Sequence, residues 1–99
     1  MYIYNVTLSV DKAVHDEWLK WMQEVHMPDV MKTKCFVDCR MLKVLNVEDE
    51  GVTYSAQYTF LEMSDMEEYQ TKHAPRLQKE AMEKFKDKFV AFRTLLEII

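Results

Sequence analysis

Residues 1–25, MYIYNVTLSVDKAVHDEWLKWMQEV, change their hydrophobic period once, and that change decides the fold. Up to Val10 the chain alternates. Tyr2, Tyr4, Val6, Leu8 and Val10 fall on one face, and Ile3, Asn5, Thr7 and Ser9 on the other. A period of two marks a strand with one buried face. Asp11 then offers a side-chain oxygen to the free amides at a helix start. Val14, Trp18, Trp21, Met22 and Val25 follow at helical spacing, with Asp16, Lys20, Gln23 and Glu24 on the opposite side. Pro28 disturbs this helix near its end, although Val30 and Met31 predict a further turn.

The rest of the chain alternates between the same two periods. CFVDCRMLKVLNV, residues 35–47, is too long for one regular register and predicts a strand with a bulge. Its two faces would carry Val37, Met41 and Leu45 opposite Phe36, Leu42 and Val44. Glu48, Asp49, Glu50 and Gly51 make the turn into VTYSAQYTFL, residues 52–61, which alternates again and completes an antiparallel hairpin. Ser64, Asp65, Met66 and Glu67 have the form of a capping box. They predict a second helix running to about Lys86, interrupted by Pro75, with Met66, Tyr69, His73, Leu77 and Ala81 as its inner stripe. KFVAFRTLLEII, residues 88–99, is a last strand, apolar on both faces. The order is βαββαβ over one domain, residues 1–99. It predicts an α+β, ferredoxin-like fold with a four-stranded antiparallel sheet and two helices on one face.

Composition supports an ordinary globular domain. The 99 residues are 48% hydrophobic with a net charge of −4, too apolar and too weakly charged for disorder. Thirteen basic residues against seventeen acidic ones give no footprint for nucleic acid. No apolar run is long enough to span a bilayer, and MYIYNVTLSVDK has neither a basic leader nor an export segment, so no membrane partner is expected and the expected compartment is the cytoplasm. Cys35 and Cys39 fit that compartment as free thiols, because strand geometry would hold them roughly 13 Å apart.

The last strand carries Phe89, Ala91 and Leu95 on one side and Val90, Phe92, Leu96 and Ile98 on the other. Two helices cover only one face of such a sheet, so a monomer would expose an apolar patch larger than soluble monomers tolerate. A homodimer joined through the open sheet face is therefore expected.

Chemistry is less explicit. His73 falls within the inner stripe of the second helix, beside the kink expected at Pro75, and is the candidate general base. A core histidine satisfied by a tyrosine or a freed carbonyl is the plain alternative. His26 lies near the end of the first helix, and Asn5 and Arg93 are polar groups on strands that must find partners. The ligand-binding candidates are Asn5, Trp21, His26, Tyr54, Tyr69, His73 and Arg93. No metal site and no cofactor are expected, since no histidine, cysteine or carboxylate cluster has ligand spacing.

The segment EEYQTKHAPRLQKEAMEKF, with His73 and Pro75, resembles the second helix of the dimeric α+β-barrel superfamily, which includes antibiotic-biosynthesis monooxygenases, stress-responsive barrel proteins and haem-degrading relatives. More closely, MYIYNVTLSVD, HDEWLKWM, HMPDV, GVTYSAQY, HAPRL and KFVAFRT resemble an uncharacterised bacterial family of about this length, a domain of unknown function. The superfamily resemblance implies a dimeric α+β barrel with a pocket between helices and sheet in each protomer. Its haem-degrading branch uses a first-strand asparagine, then a tryptophan and, ten residues on, an iron-binding histidine. Asn5 matches the first, but ten residues beyond Tyr69 stands Lys79, so the iron ligand is missing from its place.

Two uses of such a pocket follow. The first is binding of a small apolar or aromatic ligand by a dimer, or a purely structural dimer. The alternative is a cofactor-independent monooxygenase-like or isomerase-like enzyme on a small aromatic substrate. There His73 would be the base, and Asn5 or Arg93 would stabilise an enolate oxygen.

Overall fold

A computed structural model of the chain describes residues 1–47 and 50–99. The alternation of the first ten residues becomes strand β1, Tyr2–Val10. With β2 (Asp38–Lys43), β3 (Val52–Phe60) and β4 (Phe89–Glu97) it forms an antiparallel sheet in the order β2-β3-β1-β4. The first and third strands are central, which is the βαββαβ arrangement expected. Register puts Tyr4, Val6 and Leu8 beside Tyr58, Ala56 and Tyr54 on one face, all buried. Across β1 from them stand Leu95, Arg93 and Ala91 of β4.

Two helical arms pack on that face. The first opens with a 3-10 turn at Lys12–Val14, capped by the Asp11 carboxylate, which accepts from the Ala13 amide at 2.8 Å. It continues as α1 (His15–Trp21), a π-helical turn (Met22–His26) and α2 (Met27–Lys32). Pro28, at the start of α2, has no N–H to give the preceding turn, and the wider π-turn takes up the mismatch. The helix therefore continues four residues past the proline instead of failing there. The second arm is α3 (Met63–Lys72) and α4 (Ala74–Lys84), separated at His73, whose φ of −123° is not helical. Trp18, Phe60, Met66 and Leu77 are the large side chains at the centre of the core.

Three local expectations are corrected. The capping box is not Ser64 with Glu67. Glu62 is the N-cap, and its side chain and that of Asp65 exchange reciprocal bonds with each other's amides, so the helix starts before Ser64. The second strand is shorter than residues 35–47, because Lys34 adopts a left-handed φ of 63° and turns the chain just ahead of it. This turn also inverts the expected faces at its start. Phe36 is buried against Tyr58 and Tyr69, and Val37 is exposed. Just beyond Lys43 the Val44 amide donates to the Thr53 carbonyl at 2.9 Å, and Leu45 faces solvent. Of the turn expected at Glu48–Gly51, Glu48 and Asp49 lie outside the described residues. Gly51 closes against β1 so tightly that a Cβ there would stand 2.5 Å from the Val10 carbonyl oxygen.

No helix among the described residues is long and apolar enough to cross a membrane.

Candidate functional site

β4 is an edge strand, and the helices do not reach fully across it, so Arg93 and Leu95 stay exposed on the face that is buried elsewhere. The gap is a cavity of about 360 Å³ between the inner sheet face and the two helical arms. Its floor is Tyr4, Val6, Leu8, Ala56, Tyr58 and Ala91. Trp18, Met22 and His26 wall it from the first arm, and Tyr69, Gln78, Ala81 and Phe85 from the second. Met82, Lys86, Asp87 and Arg93, all exposed, stand at the mouth.

An aromatic cluster closes the far end. The Tyr4 ring lies 6.1 Å from Phe36 and Tyr58 and 5.8 Å from Tyr69. Burial pushes the Tyr58 and Tyr69 phenols well above their usual range. The same cause raises Tyr4, against the opposing pull of neighbouring Arg93 and Gln78. All three therefore remain neutral hydroxyls able to donate a hydrogen bond.

The π-turn delivers His26 to this cavity. Its imidazole stacks on Trp21 with ring centroids 5.1 Å apart, and its Nδ1 is buried without a hydrogen-bond partner among the described residues. Burial holds its pKa below the usual histidine value, opposed by Asp29 and Glu80 and helped by Arg93. His26 is thus a neutral imidazole at pH 7.

Of the candidates read from sequence, His26, Tyr69 and Arg93 meet in the cavity, and Asn5, Trp21, Tyr54 and His73 do not line it. Trp21 acts from behind His26. His73 sits part-buried at the break between α3 and α4, 6.4 Å from the Tyr69 ring. Its amide donates to the Tyr69 carbonyl, and its own carbonyl accepts from Leu77. Tyr54 is buried with its hydroxyl 2.6 Å from His15 Nε2, whose Nδ1 lies 3.0 Å from Asp16. Asn5 is on the opposite face of the sheet, because strand alternation sends odd residues of β1 away from the helices. Its amide oxygen accepts from Ser55 and Gln57, and its NH2 donates to Thr7 and Thr94. Around that polar centre the outer face carries exposed Leu42, Val90, Phe92 and Leu96.

Sequence reasoning missed Tyr4, Tyr58 and Gln78. The signal for the first two was available, since both are even-numbered inward positions on adjacent central strands. Gln78 had none beyond following Leu77. Among the described residues no group of three or more histidine, cysteine, aspartate or glutamate side chains is arranged to hold a metal ion. Cys35 and Cys39 are free thiols.

The family model for a domain of unknown function, DUF4286, matches residues 1–99. No curated protein matches the chain in sequence. Among solved structures, a dimeric ferredoxin-like protein from an uncultured marine organism is similar at 13% identity and a TM-score of 0.73, over 100% of this chain and 95% of that one. An ethd family protein from Bacillus halodurans aligns over 100% of both chains, at 13% identity and a TM-score of 0.68. An antibiotic biosynthesis monooxygenase is similar at 14% identity and 0.59, over 100% of this chain and 99% of that one. At such identities the likeness concerns the fold, which is α+β and ferredoxin-like.

Proposed function

The chain belongs to that family of unknown function, and we propose that it is a homodimeric binding protein for a small molecule held between the helices and the inner face of the sheet. The cavity carries this reading. At about 360 Å³ it lies within the size range of small-ligand sites, and it has their make-up of aromatic walls with a few converging polar groups. Dimerisation is supported by the outer sheet face, where Val90 is 71% and Phe92 63% exposed around the satisfied Asn5 network. A second copy laid on this face removes the patch from water. The dimeric description of the marine relative agrees with that arrangement. The free thiols favour a reducing compartment, the cytoplasm.

The test is a thermal-shift screen of small aromatic compounds against the native protein and Ala81→Trp, which fills the cavity with an indole. Stabilisation of the native protein that the filled variant lacks is expected. Equal response from both, or none from either, would overturn the reading.

One observation favours a second reading. His26 is a neutral imidazole in the cavity wall, the form a general base needs. Isomerase-like or cofactor-independent monooxygenase-like chemistry on a small aromatic substrate would begin by removal of an acidic proton. That step would fall to His26, because His73 stands outside the cavity.

A further inference from the structure

The cavity has one cationic group on its sheet wall, and its neighbour there is the uncharged Tyr4 hydroxyl, not a carboxylate. Arg93 sits opposite Val6 on the otherwise apolar inner face, between Ala91 and Leu95. Among the described residues no carboxylate forms an ion pair with it, although four lysine or arginine side chains elsewhere on their surface do pair with carboxylates. At the mouth, Lys86 and Asp87 offset each other in charge, so Arg93 sets the sign at the entrance. Beside it are two neutral donors, the hydroxyl of Tyr4 and the amide of Gln78. A guanidinium flanked by an O–H and an NH2, with aromatic rings behind, matches a flat molecule that has one anionic end.

We infer that the ligand is a small aromatic carboxylic acid, its ring against Tyr4, Tyr58 and Phe85 and its carboxylate on the Arg93 guanidinium. This rests on the cavity being a binding site. It adds the charge and polarity of what enters. The neutral ring atoms gain from leaving water, and the carboxylate exchanges water for charge-assisted bonds at the half-exposed mouth, where its desolvation is incomplete. The reverse pose would bury the carboxylate among tyrosines and alanines without a counter-ion.

The experiment compares 1-naphthoate with its uncharged isostere 1-naphthamide by isothermal titration calorimetry on the full chain, Arg93→Gln and Arg93→Lys. The native protein is expected to prefer the acid by about tenfold or more, the usual worth of a charge-assisted bond. Arg93→Gln is expected to erase that preference by lowering naphthoate affinity to about that of naphthamide, with an unchanged thermal melt reporting an intact fold. Arg93→Lys should keep part of it, since the charge remains and the fork is lost. Equal affinity for the two probes in the native protein, or a preference that survives Arg93→Gln, would overturn the anionic assignment and leave the cavity reading standing. Absence of binding by either probe up to about millimolar concentration would overturn both.

Discussion

The indole of Trp21 lies flat behind the imidazole of His26, centroids 5.1 Å apart at 29°. In a regular α-helix side chains at i and i+5 point well apart, and the π-turn at Met22–His26 brings this pair onto one side. The stack covers His26 on the side away from the cavity. Burial, aided by Arg93, keeps the imidazole neutral.

That neutrality makes stability depend on pH. Burial lowers the His26 pKa from 6.5, with Arg93 acting the same way and Asp29 and Glu80 opposing. As pH falls through 6.5 the unfolded chain takes up a proton that the native chain refuses, so stability is lost from there down to the lower native pKa. Urea midpoints taken at about pH 7.5 and about pH 5.5 should show a decline in the native protein. The decline should be smaller in His26→Gln. An equal decline in the two would show that other groups set the slope.

Leu77 and His73 share a helical face but not a role. Leu77 is fully buried, so Leu77→Ala should cost about 2–5 kcal/mol in chemical denaturation, from lost burial and the cavity left behind. His73→Ala should cost much less, since the bonds holding the break between α3 and α4 there are made by its backbone. It should also leave ligand affinity unchanged, which calorimetry checks. Loss of binding in a folded His73→Ala protein would return that residue to the site.

Gly51→Ala should destabilise by about 1–3 kcal/mol, as overpacked sites do. The new Cβ would meet the Val10 backbone oxygen at 2.5 Å, and a backbone atom cannot swing aside as a side chain can. Thermal melts of the two proteins are the check.

Phe92→Asp should convert the protein to an 11.9 kDa monomer in sedimentation at micromolar concentration, with the native chain sedimenting at twice that mass. Val90→Asp should act in the same direction. A native protein that already sediments as a monomer would remove the dimer and leave the cavity, which lies on the other face of the sheet.

The strands and both helical arms were legible because hydrophobic period reports which face is buried, and the two central strands follow it without a slip, whereas β4 was read from its apolar run. The site was legible only in part. Alternation alone puts Asn5 on the outer face, but a resemblance built on a first-strand asparagine pulled it toward the pocket. His73 lies on the apolar stripe, as its spacing predicts, yet the helix break beside Pro75 parks it against Tyr69 and away from the cavity. Nothing local marks the π-turn except Pro28, and a proline tells where a helix is strained without telling which side chain the strain redirects. Arg93 needed the tertiary fact that the helices stop short of β4.

The most direct test of the binding cavity is a titration of the uniformly ¹⁵N-labelled protein with 1-naphthoate, following side-chain N–H signals. Gln78 and Arg93 report the cavity, while Asn5 and Gln57 report the opposite face of the same sheet. Saturable shifts of the Gln78 NH2 and Arg93 Nε–H signals, with Asn5 and Gln57 unmoved, are the expected result. Shifts confined to Asn5 and Gln57, or none at any of the four, would contradict a ligand between the helices and the sheet.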